Sequence, residues 1–330
     1  MQTISIPEFG GPEVLTLVKK PEPQPGPGEV SLDVAYAGVN YAEVLFRRGV
    51  VEGLDMPFTP GIEVSGYVRE TGDGVAGLRA GQRVAALTII GGGGYAEVAV
   101  APASLVVPVP DHVPLDVAAA LPSNVTSAYM VLGDVAHLRQ GETVVVHAAA
   151  GGVGSALGQM ARALGAGSVT GVIGTPAKVE YAKRLGYDHV ITSDGFEEAV
   201  SDITRERGVN VVVDQVGGAV RRASLNALRP GGRLVVMGNA SGADDVPLSP
   251  LELWFSSKGV LGFNLQLLAA NDPERVGVAL RAAMDRMASE EVRVDVTDVL
   301  PFTEAAEAHL RIEQRETTGK LVLRVREDDA

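Results

Sequence analysis

Between Pro122 and Leu265 short, uninterrupted apolar runs alternate with stretches of helical period. The apolar runs are Thr143–His147, Ser168–Val172, His189–Thr192, Asn210–Asp214, Arg233–Met237 and Val260–Phe263. Helices are predicted between them at Val153–Leu164, Pro176–Leu185, Gly195–Arg205, Ala219–Leu228 and Pro250–Ser257. A strand that is apolar at every position is buried on both faces, so this alternation predicts a parallel sheet covered by helices on each side. Six strands joined by five crossovers is the count of a doubly wound sheet made of two mononucleotide-binding halves.

The flanking regions have a different texture. From Met1 to Leu121 the apolar runs are short and alternating, as in Glu29–Tyr36, Val64–Arg69, Gln82–Leu87 and Tyr95–Val100, with Gly and Pro between them. That pattern predicts an antiparallel, β-rich domain. Pro21 to Pro27, with a proline at every second position, reads as a stiff extended connector. Beyond Leu265 the chain predicts a helix at Pro273–Ser289, another after Phe302, and a strand at Lys320–Val325. A lone strand needs a sheet partner, so this last one is expected to return to the first domain. The expected division is therefore 1–121 with 266–330, and 122–265 inserted between them.

Charge and cysteine content narrow the function. The formal net charge is −13, which disfavours nucleic acid and anionic membrane surfaces as partners. The absence of cysteine excludes disulfides, thiolate nucleophiles and Cys-ligated zinc. The five histidines, His112, His137, His147, His189 and His309, show no metal-ligand spacing, so no metal site is expected. Neither a signal peptide nor a membrane span is apparent, and a cytoplasmic location is expected.

The sharpest local signal is Thr143-Val-Val-Val-His-Ala-Ala-Ala-Gly-Gly-Val-Gly-Ser155. A buried strand runs into a glycine turn, and a helix follows directly. Gly151 would admit a pyrophosphate close to the backbone, Gly154 would admit close helix–strand contact, and the helix N-terminus offers amide donors. Ala149 occupies the place of the first fingerprint glycine. A site for NAD calls for a carboxylate about 20 residues on. This chain has Ile173-Gly-Thr-Pro-Ala-Lys178 there, with no acid and one lysine, which favours NADPH through pairing with its 2′-phosphate.

In this order and spacing, Gly38-Val-Asn-Tyr41, Pro60-Gly-Ile-Glu-Val-Ser-Gly66, Gly81-Gln-Arg-Val84, His147 to Gly154, Asp214-Gln-Val-Gly217 and Gly238-Asn239 resemble the medium-chain dehydrogenase/reductase superfamily. The likeness is greater to its zinc-independent quinone oxidoreductase branch, which includes zeta-crystallin. The resemblance implies an α/β protein in which a GroES-like catalytic domain is interrupted by a Rossmann domain, and a homodimer formed by pairing of Rossmann sheet edges. It implies cofactor contacts from Gly151, Gly152, Val153 and Gly154, with Lys178 and Arg315 near the 2′-phosphate. Asn239 would lie near the cofactor, and Phe263, Asn264 and Leu265 would hold the nicotinamide carboxamide. Asn40 and Thr126 would line the nicotinamide. Zinc-dependent relatives carry a cysteine where this chain has Asn40 and a histidine where it has Ile62, leaving Glu63 and Glu43 with structural roles. Ser193 replaces a tyrosine found in several members, and Val51 stands where many have a Tyr-Pro pair.

Without a Lewis acid the remaining chemistry is hydride transfer from NADPH to an acceptor that is already electrophilic, a quinone or an α,β-unsaturated carbonyl. The protein then orients the pair and hydrogen-bonds the oxygen on which charge develops. Asn40 and Tyr41 are the candidates for that contact. Phe46, Ile89, Ile90, Trp254 and Phe255 are candidates for an apolar acceptor pocket. Three readings follow: a quinone reductase, an enone or enoyl reductase with a biosynthetic role, and a cofactor-binding structural protein of the zeta-crystallin kind.

Overall fold

The computed structural model describes residues 1–51 and 53–326 and resolves into two compact units. The first comprises residues 1–126, 265–290 and the chain from 294 on; the second comprises 127–264 and 291–293.

In chain order the first unit begins with β1 (Gln2–Ser5), β2 (Thr16–Lys19), β3 (Glu29–Gly38), α1 (Tyr41–Arg47), β4 (Glu63–Thr71), β5 (Arg83–Leu87), β6 (Val98–Pro102), β7 (Val106–Pro108) and α2 (Leu115–Ala119). α3 (Asn124–Met130) carries the chain into the second unit. There it builds β8 (Thr143–Val146), α4 (Gly152–Ala163), β9 (Ser168–Ile173), α5 (Val179–Lys183), β10 (His189–Thr192) and α6 (Phe196–Thr204). It continues through β11 (Val209–Asp214), α7 (Ala219–Ala227), β12 (Leu228–Val236), α8 (Pro250–Ser256) and β13 (Gly259–Gly262). The first unit is completed by α9 (Leu265–Asn271), α10 (Pro273–Ala288), β14 (Val296–Pro301), α11 (Ala305–Glu313) and β15 (Lys320–Arg324).

The sheet of the first unit runs β14-β15-β3-β4-β5-β7, with β6 also on β3, and is antiparallel except between β14 and β15. β15 pairs with β3 through Leu323 and Ala37, so the last strand does return to the first. Its core gathers Val30, Leu32, Val34, Val64, Val84, Leu321 and Leu323, all at most 2% exposed. The run Tyr95–Val100 divides where one strand was expected. Tyr95 accepts from the Ile4 amide and Ala96 bridges Thr3, whereas pairing with β3 begins at Val98.

The second unit holds a six-stranded parallel sheet in the order β10-β9-β8-β11-β12-β13. Its strands are valine-rich and its centre, β8, is covered at Val144, Val145 and Val146 to within 1% of full burial. The chain winds outward from β8 to β10, then crosses back to β11 and winds the other way. Strand order therefore reverses between β8 and β11, where open α/β sheets receive ligands at the strand C-termini. The helix expected over Pro176–Leu185 starts as a 3₁₀ turn, Pro176–Lys178, with proline at its first position, and becomes α-helical from Val179. Among the described residues no helix is long and apolar enough to cross a membrane.

Candidate active site

The turn after β8 is at the reversal point of the second unit. Its entry residue, Ala148, takes a left-handed conformation at φ +49°, uncommon for a residue with a Cβ. Gly151 then N-caps α4, and no side chain caps the helix. The first-turn amides of a helix have no internal acceptor, so here they stay available to an anion at the positive end of the helix dipole. A Cβ added at Gly154 would stand 2.3 Å from the Ala148 carbonyl oxygen, which is why only glycine allows α4 to start so close to the turn. At Gly151 a Cβ would meet nothing nearer than that carbonyl at 3.4 Å, so the space over the turn is open. Gly152 and Val153 form the first turn itself.

The neighbouring loops are held by a buried ion pair. Asp214, at the end of β11, accepts from the Val216 and Gly217 amides at 2.8 and 2.9 Å and from Arg221 Nε at 3.0 Å. Arg221 also donates to the Gly238 carbonyl at 2.9 Å, tying the loop after β12 to the loop after β11. Asn239 follows, donating to the Ala243 carbonyl at 3.0 Å and accepting from Ser241 Oγ at 3.2 Å. Lys178 is half-buried at the end of the 3₁₀ turn after β9. Beside β8, His147, Ser193, Phe196, Ala219, Val220 and Ala223 line a cavity of about 180 Å³. His147 hydrogen-bonds Ser224 Oγ at 2.8 Å, and burial pushes its imidazole down to about 4 against the pull of Asp214. Phe263 is buried, its amide donating to the Val236 carbonyl at 2.9 Å, and Asn264 is exposed. Leu265 opens α9 and belongs to the first unit. Arg315, at φ +59° just after α11, is in the first unit too.

In the first unit, Asn40 N-caps α1 and is 8% exposed. Its Oδ1 accepts from Lys320 Nζ at 2.5 Å and its Nδ2 donates to Glu63 Oε1 at 2.9 Å. Lys320 also pairs directly with Glu63, and Glu63 Oε2 accepts from the Ser123 amide at 2.7 Å. A second buried carboxylate pins the backbone beneath. Glu43 accepts from the Asn40 amide at 2.6 Å, the Ile62 amide at 2.9 Å and Tyr95 Oη at 3.2 Å. Tyr95 Oη lies 3.3 Å from His309 Nε2. Burial pushes the Glu43 carboxyl up to about 7, opposed by Lys320, and pushes His309 down to about 3 with help from Arg47. Thr126 is fully buried, and its Oγ1 has no hydrogen-bond partner among the described residues. Tyr41, the first residue of α1, is half-buried.

Two family models match this chain, "Alcohol dehydrogenase GroES-like domain" over residues 26–111 and "Zinc-binding dehydrogenase" over 152–280. A probable quinone oxidoreductase of Schizosaccharomyces pombe is 34% identical, covering 98% of this chain and 97% of its own. The crystal structure of Escherichia coli quinone oxidoreductase complexed with NADPH is 30% identical, with a TM-score of 0.88, over 98% of this chain and 100% of that one. A 2-haloacrylate reductase of a Burkholderia species is 32% identical over 95% of this chain and 96% of its own. The chain belongs to the medium-chain dehydrogenase/reductase superfamily.

Its two units are the GroES-like and Rossmann parts of that oxidoreductase superfamily. Among the described residues no group of three or more His, Cys, Asp and Glu side chains is placed to hold a metal. The cation at Asn40 and Glu63 is instead the Lys320 ammonium. Two site-forming residues escaped the sequence reading. Lys320 starts an apolar strand, where lysine is an ordinary solvated flank, and Arg221 sits beside Arg222 on a helix whose sequence does not tell the buried arginine from the half-exposed one. Glu43 was expected only to be structural; the Asn40-x-x-Glu43 spacing of a capping box is the signal that could have placed it beneath Asn40. Of the expected apolar lining, Phe46 packs edge-on against Phe58 at 5.9 Å inside the first unit and Ile89 is buried there, with Ile90 exposed. Trp254 and Phe255 stack on each other at 4.8 Å and are 71% and 78% exposed.

Proposed function

We propose that this protein is an NADPH-dependent reductase whose acceptor is electrophilic before it binds, a quinone in the first reading. The observation that carries the proposal is the uncapped N-terminus of α4, open above Gly151 and set at the reversal point of a parallel sheet. Bound NADPH supplies a hydride to the acceptor.

The chain's own residues do the rest. The Gly151, Gly152, Val153 and Gly154 backbone receives the pyrophosphate, and Lys178 and Arg315 pair with the 2′-phosphate. The cavity beside His147 and Phe196 takes the adenine. Asn239, Phe263, Asn264 and Leu265 hold the nicotinamide end. A buried hydroxyl without a partner costs about 1–3 kcal/mol, so Thr126 Oγ1 is a group that a ligand amide would satisfy. Asn40 and Tyr41 donate to the acceptor oxygen as charge develops on it. The names of the fission-yeast and E. coli relatives support the quinone. The Burkholderia relative, named for haloacrylate reduction, favours a second reading in which the acceptor is an α,β-unsaturated carbonyl.

We also propose that the partner is a second copy of this chain. β13 ends its sheet and pairs only with β12 among the described residues. The helix leading into it exposes Leu251, Trp254 and Phe255. An open strand edge beside an exposed apolar patch is a pairing surface.

The test is NADPH consumption with benzoquinone, an enal and an enoyl thioester side by side. Fastest turnover of benzoquinone supports the first reading, and fastest turnover of either unsaturated carbonyl supports the second. Tight NADPH binding with negligible turnover on all three overturns both in favour of a structural protein.

A further inference from the structure

We propose that Lys320 is a positioning residue that fixes the Asn40 amide as an oriented hydrogen-bond donor, an inference that rests on the reductase reading above. Lys320 is 3% exposed at the head of a strand whose next three residues, Leu321, Val322 and Leu323, are at most 2% exposed. A buried ammonium is retained only with partners, because desolvation of an unpaired charge costs several kcal/mol. Its partners are Glu63, 0% exposed, and the Asn40 side chain.

This pairing settles which way the Asn40 amide faces. An ammonium only donates and a carboxylate only accepts. Oδ1 must therefore face Lys320 and Nδ2 must face Glu63, since the flipped amide would oppose donor to donor and acceptor to acceptor. One Nδ2 hydrogen is committed to Glu63, and the planar amide then fixes the direction of the other. The ammonium on Oδ1 also draws electron density from the amide, which strengthens the remaining N–H as a donor. Glu43 holds the Asn40 and Ile62 amides from below, so backbone and side chain are fixed by separate carboxylates. The acceptor oxygen therefore meets a donor that need not reorganise as charge builds.

The test is a double-mutant cycle on the full-length protein with NADPH and benzoquinone: wild type, Asn40→Ala, Lys320→Met and the double variant. Each single substitution is expected to lower kcat by about 10- to 100-fold, leaving the Kd for NADPH within about 2-fold. The double variant should be no slower than the slower single, because Lys320 acts only through Asn40. Effects that multiply in the double variant, or a Lys320→Met variant with wild-type kcat, overturn the inference while leaving the reductase reading intact. If Lys320→Met fails to fold, Glu63→Gln replaces it in the same cycle with the same expectations. A wild type that binds NADPH and reduces no acceptor overturns both.

Discussion

Tyr187 donates its hydroxyl to the Gly154 carbonyl at 2.5 Å, bracing the glycine turn from the loop between α5 and β10. Burial pushes the phenol well above its ordinary range, so it stays a donor at every working pH. Tyr187→Phe removes the bond and keeps the ring. It should cost about 1 kcal/mol of stability in urea unfolding and weaken NADPH several-fold by loosening the turn. Unchanged NADPH affinity would detach Tyr187 from the cofactor.

We propose that Lys178 carries the preference for the phosphorylated coenzyme. Lys178→Ala should weaken NADPH by about 10-fold or more while moving NADH by less than about 2-fold, as expected for loss of one charge-assisted contact. Fluorescence titration of both coenzymes checks this, and equal losses would remove the phosphate assignment.

Stability should follow pH in a way set by three buried groups. Glu43 holds its proton up to about 7 in the fold against 4.5 unfolded, so its contribution falls as pH rises through that interval. His147 and His309, pushed down to about 4 and about 3 from 6.5, contribute stability above 6.5 that is lost on acidification. Between about pH 5 and 5.5 the unfolded chain holds about two more protons on the histidines and the fold holds about one more on Glu43, so stability rises with pH. Glu43→Gln should about double that slope in denaturant titrations. An unchanged slope would mean that Glu43 titrates normally.

The proposed dimer has a direct probe in Trp254. Trp254→Asp puts a charge into the exposed Trp254–Phe255 stack and should convert a dimer into a monomer by light scattering, with the far-UV circular dichroism of the folded chain unchanged. A dimer that persists, or a wild-type monomer, would contradict the interface.

The second unit was legible because its cues are local. Valine runs of strand length, helical periods between them and a glycine turn after the first strand each constrain a few residues, and together they imply six strands in a doubly wound parallel sheet. The return of Lys320–Arg324 to the first domain followed from the need of any strand for a partner, and its pairing with β3 came from the structure. What stayed hidden depends on contacts across long sequence separations. Nothing near Lys320 announces that its ammonium enters the site of Asn40 and Glu63, 280 and 257 residues away. Likewise Arg221 reads as a solvated helix residue until the fold sets it on Asp214. The split of Tyr95–Val100 between two sheets was invisible because both halves alternate equally well.

We propose that the turn from Ala148 to Gly154 seats the coenzyme, and calorimetric titration of NADPH into wild type and Gly154→Ala is the decisive experiment. The added Cβ would stand 2.3 Å from the Ala148 carbonyl, forcing the turn and the first amides of α4 apart. Wild type should bind one NADPH per chain, and the variant should bind it about 10-fold or more weakly, roughly the loss of one or two charge-assisted hydrogen bonds. Equal affinity in a folded variant, or no binding to the wild type, would contradict it.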